Sequence, residues 1–129
     1  MNHKLLGYLL ISLVSGGICL AQTTPTIEDF QVSVTTQQGK QYPQVNSQGK
    51  VRVQIAAPLA TKVQLDLGGK KYDLVKDTQG LWTGDSDPQD EGFHYYQLNI
   101  DGASVPDPGS MYFYGASRWG SGIEVPAKD

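Results

Sequence analysis

The sequence predicts an all-β sandwich of about six to eight short antiparallel strands, on three observations. From Lys50 onward apolar and polar residues alternate, which is the period of a strand with one buried face. Turn signals recur at roughly the 8–12-residue spacing of sandwich proteins. No segment carries apolar residues at i, i+3, i+4 and i+7 over three turns, so no amphipathic helix competes.

The chain opens on a different pattern. Lys4 precedes the apolar run Leu5 to Val14, and Cys19-Leu20-Ala21 ends it with small residues at −3 and −1. This is the layout of a secretory signal peptide over 1–21, with cleavage before Gln22 and a secreted or periplasmic product. The run is shorter than the roughly 20 apolar residues that span a bilayer. Ile18, bulky and directly before Cys19, argues against lipidation there.

Cleavage would leave 108 of the 129 residues, enough for one small domain. It would also remove the single cysteine and one of the ten Lys and Arg residues, so nine bases would face thirteen acids at a net charge of −4. Stability must then come from packing, without disulfides. The acidic balance excludes a basic footprint for nucleic acid and disfavours an anionic membrane surface.

Residues 22–45 read as an N-terminal segment or linker. Phe30, Val32 and Val34 alternate there, as a short edge strand or part of a tether, until Gln37-Gln38-Gly39-Lys40 interrupts them. The turn Asn46-Ser47-Gln48-Gly49 opens the sandwich, 46–126. Val51, Val53 and Ile55 face one side of the first strand, and Pro58 ends it. Val63, Leu65 and Leu67 repeat the pattern, and Gly68-Gly69 is the two-residue loop of a tight hairpin. Tyr72 and Leu74 continue on the return strand, and Leu81-Trp82-Thr83 follows the turn at Asp77–Gly80. The longest strand, Phe93 to Ile100, sets Tyr96, Leu98 and Ile100 on one face and Tyr95, Gln97 and Asn99 on the other. Asp101-Gly102 turns the chain after it. A loop rich in Pro, Gly and aromatics leads to Ile123-Glu124-Val125, which closes the sheet, and 127–129 read as the start of a linker.

Several stretches carry a family resemblance. Val53 to Pro58, Lys62 to Leu65, Gly80 to Thr83, Gly92 to Tyr96 through Ile100 to Gly102, and Asp107-Pro108 resemble carbohydrate-binding module family 48. Gln41-Tyr42-Pro43, Gly68 to Tyr72, Phe113 to Gly115 and Ser121 to Pro126 are similar to its subgroup N-terminal to secreted feruloyl and acetyl-xylan esterases of carbohydrate esterase family 1. The resemblance implies an early-set, immunoglobulin-like sandwich that accompanies a serine esterase of the α/β-hydrolase fold, a domain absent from this chain. Glycogen-binding members carry an aromatic after the second strand, a lysine in the long strand and a second tryptophan. This chain has Gly68-Gly69, Gln97 and Ser104 at those places, so the starch-type platform is missing.

Catalytic groups are not assembled in the sequence. A nucleophile elbow needs G-x-S-x-G on a strand-to-helix turn, and Gly115-Ala116-Ser117-Arg118-Trp119 fails at its last position. His94 lies in a strand without a partner nucleophile, so no hydrolytic triad is expected. Asp85, Asp87, Asp90 and Glu91 crowd one loop, but counting from Asp85 the calcium-loop glycine and glutamate positions hold Asp90 and Tyr96. A solvated acidic turn is expected, with no metal and no cofactor. Trp82 reads as a core residue.

Two groups remain as candidate binding sites. Tyr95, Gln97 and Asn99 combine an aromatic face with two amides, which suits a sugar's C–H face and hydroxyls; an ordinary solvent-facing sheet would read the same. Met111 to Trp119 places five bulky apolar side chains in turn-like sequence, the mark of an interface, with Tyr112, Tyr114 and Trp119 as docking candidates. The expected function is therefore a non-catalytic carbohydrate-binding and docking module. Its partners would be plant cell-wall polysaccharide, bound weakly and xylan above starch, and an esterase domain in cis. The alternative is a free-standing secreted polysaccharide-binding protein of the glycogen- or starch-binding type.

Overall fold

A computed structural model describes residues 25–115 and 117–128. The expected signal peptide, 1–21, lies outside them. The described residues form eleven strands and no helix, arranged as two antiparallel sheets in a sandwich.

In chain order the strands are β1 (Gln31–Val32), β2 (Gln44–Val45), β3 (Val51–Ala56), β4 (Val63–Leu67), β5 (Lys70–Asp73), β6 (Val75–Lys76), β7 (Leu81–Asp85), β8 (Gly92–Ile100), β9 (Ala103–Val105), β10 (Tyr112–Gly115) and β11 (Arg118–Val125). The first sheet runs β1-β2-β3-β7-β6 and the second β10-β11-β8-β4-β5, with β9 also paired to β8. The count exceeds six to eight because several strands have only two or three residues, too short for alternation to register.

The period-two segments form as their pattern demands. Val51 and Val53 from one sheet meet Leu65, Leu67, Tyr96, Leu98, Ile123 and Val125 from the other in the core. Such side chains contribute about 1.5–3 kcal/mol each when fully buried. Gly68 and Gly69 both take positive φ, 63° and 77°, which the two-residue turn joining β4 to β5 requires. Asp101 and Gly102 repeat the device between β8 and β9, with φ of 48° and 88°. The Asp101 carboxylate accepts hydrogen bonds from Thr61 N, Thr61 Oγ1 and Lys62 N, which hold its pKa below the usual carboxylate range.

Within 25–45, β1 and β2 extend the first sheet beyond β3, the edge-strand form of the two readings of this segment. Arg52 fastens this region, because its guanidinium binds Asp85 and Glu28 and lies 3.9 Å from the Phe30 ring centroid. The return strand does not run through Leu74. Its side chain turns into the core, and the chain passes from β5 in one sheet to β6 in the other. Lastly, Met111 to Trp119 is no irregular loop. β10 and β11 pair there in register Tyr112↔Ser121 to Gly115↔Arg118, and β11 is eight residues long rather than the three expected.

Candidate functional site: the outer face of the second sheet

Strand β8 organises this face. Its even positions Tyr96 and Leu98 enter the core, so Phe93, Tyr95, Gln97 and Asn99 stand on the opposite side. Tyr95 is 50% exposed and Phe93 40%, whereas Gln97 is only 7% exposed. An open sheet surface would leave a glutamine solvated, so something shelters this one. The hairpin β10–β11 supplies the shelter through its glycines. A methyl group on Gly120 would come within 2.7 Å of Gln97 Nε2. One on Gly115 would collide with the Tyr95 ring, and one on Gly122 with Phe93 and Phe113. Three glycines thus let the side chains of β8 lie down across the neighbouring strands.

The result is a recess of about 220 Å³ with Tyr95 and Gln97 on its floor, Asp66 and Gly68 on one bank, and Arg118 and Gly120 on the other. Gln97 Oε1 is buried and has no hydrogen-bond partner among the described residues. Leaving a buried acceptor unpaired costs about 1–3 kcal/mol, so such atoms are rare and call for an explanation. Asp66 lies directly opposite Gln97 in the β4–β8 register. Neither Asp66 nor Arg118 forms an ion pair among the described residues. The recess therefore offers acceptors at Gln97 and Asp66 and donors at Arg118, beside a half-exposed aromatic ring.

Two of the three candidate sugar residues, Tyr95 and Gln97, meet here, and Asn99 does not. It lies one pleat farther along, between Gln64 of β4 and Ser104 of β9. Sequence reasoning missed Asp66 and Arg118. Both are one charged residue among many in the sequence, and only strand pairing brings them to the recess.

Tyr112, Tyr114 and Trp119 gather on the other face of the same hairpin. Trp119 sits opposite Tyr114 across the two strands, their ring centroids 5.4 Å apart. Farther along β11 this inner face is buried at Ser121, Ile123 and Val125. At the hairpin it is not, and Trp119 is 63% exposed. Pro106, Tyr112 and Trp119 line an open apolar hollow there.

Most of the loop carboxylates are committed to protein donors. Asp85 binds Arg52, Asp87 binds Lys70 at 2.7 Å, and Glu91 accepts from Lys128 N. The Lys70 ammonium holds the Asp87 carboxyl below its ordinary range. His94 Nε2 contacts the Asp90 carbonyl at 2.7 Å.

No family model matches this sequence. It is 48% identical over 106 residues to an endo-1,4-beta-xylanase/feruloyl esterase of Xylanibacter ruminicola, a match covering 79% of this chain and 15% of that protein. The chain thus spans less than a sixth of the length of this relative. Among solved structures, a pullulanase of Paenibacillus barengoltzii complexed with maltotriose is similar at a TM-score of 0.48 and 19% identity, over 72% of this chain and 16% of that one. A GBS pullulanase in complex with maltotetraose is similar at 0.40 and 25% identity, over 50% and 10%.

Proposed function

We propose that this chain is a non-catalytic carbohydrate-binding module of a plant-polysaccharide-degrading protein, of the family 48 type, holding glycan on the outer face of its second sheet. The observation that carries this is the buried Gln97 acceptor, without a partner among the described residues, at the foot of a recess beside an exposed tyrosine ring. A sugar hydroxyl would satisfy Gln97 Oε1, Arg118 and Asp66 would bind its neighbours, and the ring's C–H face would lie on Tyr95. The match to a small part of a protein named as a xylanase and feruloyl esterase supports an accessory role and xylan as the preferred glycan. The starch-type tryptophan platform is missing from this face, which weighs against amylopectin.

Binding through one ring and a few hydrogen bonds, each worth about 1 kcal/mol net, falls in the micromolar-to-millimolar range. In affinity electrophoresis, xylan should retard the protein more than amylopectin, and Tyr95→Ala should abolish the retardation. Stronger retardation by amylopectin, or an unchanged Tyr95→Ala variant, would count against the site.

The opposite face of the hairpin supports a second role in the same module. Its hollow between Pro106, Tyr112 and Trp119 is lined mainly by apolar surface and suits a neighbouring domain of the same polypeptide. Trp119→Ala should leave the thermal stability of the isolated chain nearly unchanged. In a protein that carries the module beside an esterase domain, it should weaken the interdomain contact by about 2 kcal/mol or more, as buried aromatic anchors do. Equal destabilisation in both settings would make Trp119 a simple packing residue.

A further inference from the structure

We infer that the hollow between Pro106, Tyr112 and Trp119 seats a proline-rich extended segment, a linker of the polypeptide that carries the module. This rests on the docking reading above and names the chemistry of the partner that the hairpin face receives.

The first reason is the chemistry of the rim. In the core, Trp82 Nε1 donates to the Ala57 carbonyl and Tyr96 Oη to Asp107. Trp119 Nε1 and the hydroxyls of Tyr112 and Tyr114 make no hydrogen bond among the described residues. No charged side chain lines the hollow. A partner that suits this rim is uncharged and apolar, with acceptors for these donors and few donors of its own. Proline fits that description, with an apolar ring, no backbone N–H and a carbonyl that accepts. Saccharide hydroxyls donate as readily as they accept, and no carboxylate or amide side chain lines the hollow to receive them.

Spacing is the second reason. Tyr112 and Tyr114 are same-face neighbours on β10, roughly 6–7 Å apart along the strand. A polyproline helix rises about 3.1 Å per residue with three residues per turn. Two of its three edges meet a groove, and residues i and i+2 then make contacts about 6 Å apart. Trp119 stands opposite Tyr114 with ring centroids 5.4 Å apart at 62°. These rings brace each other, so little side-chain freedom is left to lose on binding. The polyproline conformation is likewise preformed, which is why aromatic-lined grooves take such peptides.

The polypeptide itself supplies the segment. Proline flanks the sandwich on both sides, at Thr24-Pro25-Thr26 and Val125-Pro126-Ala127. The matched region is 15% of the xylanase/feruloyl esterase relative, so most of that chain, with whatever linkers it holds, lies outside the module. Proline-rich linkers stay extended, the form in which such a groove receives them.

The test uses the purified chain and two short synthetic peptides, one of repeating Thr-Pro-Pro and one with alanine in place of every proline, titrated by tryptophan fluorescence. Trp82 is buried and Trp119 exposed, so binding should shift the Trp119 emission to shorter wavelength. The proline peptide should bind with a Kd on the order of 100 μM, about tenfold more tightly than its alanine counterpart. Trp119→Phe keeps a ring but removes the N–H, and should weaken binding about fivefold, the worth of one hydrogen bond. Equal affinity for both peptides would overturn the proline inference and leave docking standing. So would no shift with either peptide while Trp119→Ala still weakens the interdomain contact. No shift and no interdomain effect would overturn both readings. A shift with xylo-oligosaccharide instead of peptide would assign the hollow to sugar, and one that follows protein concentration alone would assign it to a second copy of the chain. Either result would overturn the inference.

Discussion

Trp82→Ala should destabilise the domain by about 3–5 kcal/mol, the usual cost of truncating a large buried aromatic. Trp82 is 7% exposed, belongs to the core cluster, and donates its indole N–H to the Ala57 carbonyl at 2.8 Å. Alanine would leave a cavity between the sheets and strip that carbonyl of its indole donor. A small domain has only about 5–15 kcal/mol in total, so the variant should melt far below the parent. Chemical denaturation of both proteins measures the difference. A loss below about 1 kcal/mol would mean that Trp82 is not a core residue. The contrast with Trp119 is instructive, because the same side chain on the exposed hairpin face should cost the isolated chain almost nothing.

Asp107→Ala should cost about 3 kcal/mol through polar rather than apolar loss. This carboxylate is fully buried, accepts from Tyr96 Oη at 2.6 Å and from Gly109 N at 2.9 Å, and ties the β9–β10 connection to the core. Removing it would strand the buried Tyr96 hydroxyl, at about 1–3 kcal/mol, and the part-buried Gly109 N–H. Tyr96→Phe in the Asp107→Ala background should recover part of the loss, since it removes one stranded group. Additive losses in the double variant would overturn the coupling.

The same pair has a pH signature. Burial raises the Asp107 pKa above 3.8, against the lowering effect of the Tyr96 and Gly109 hydrogen bonds. Burial, then the nearby carboxylate, keeps the Tyr96 hydroxyl protonated. A carboxyl that is harder to ionise when folded contributes most stability below its unfolded pKa, and loses it as pH rises through the folded value. Asp101 has the opposite sign, because its lowered pKa means stability is lost as pH falls through the folded value, below 3.8. Asp107→Asn should therefore flatten the decline in stability as pH rises past the ordinary carboxylate range, and leave the acid limb intact.

Much of this protein was legible in its sequence because the information is local. The alternation in Val51–Ile55, Val63–Leu67 and Phe93–Ile100 records which side of each strand is buried, and Gly68-Gly69 and Asp101-Gly102 record the turns. Strands β3, β4, β7 and β8, the all-β class and the inward position of Trp82 follow from that. The outward position of Tyr95 follows from the period of β8, and the crowding of apolar side chains at Tyr112, Tyr114 and Trp119 was visible in composition alone.

Pairing decided the rest. Period two tells which face Gln97 occupies but not what lies over it. Its burial comes from Gly120 in a hairpin that the glycines themselves had made look like a loop. Asn99 shares the face of Gln97, yet β9 draws it away from the recess, and no property of the strand alone records that. Asp66 and Arg118, 52 positions apart in the chain, face one recess only because β4 and β11 flank β8. Local sequence sets the direction of each side chain, whereas a site is a matter of which strands are neighbours, and that is settled by how the two sheets bury their apolar faces together.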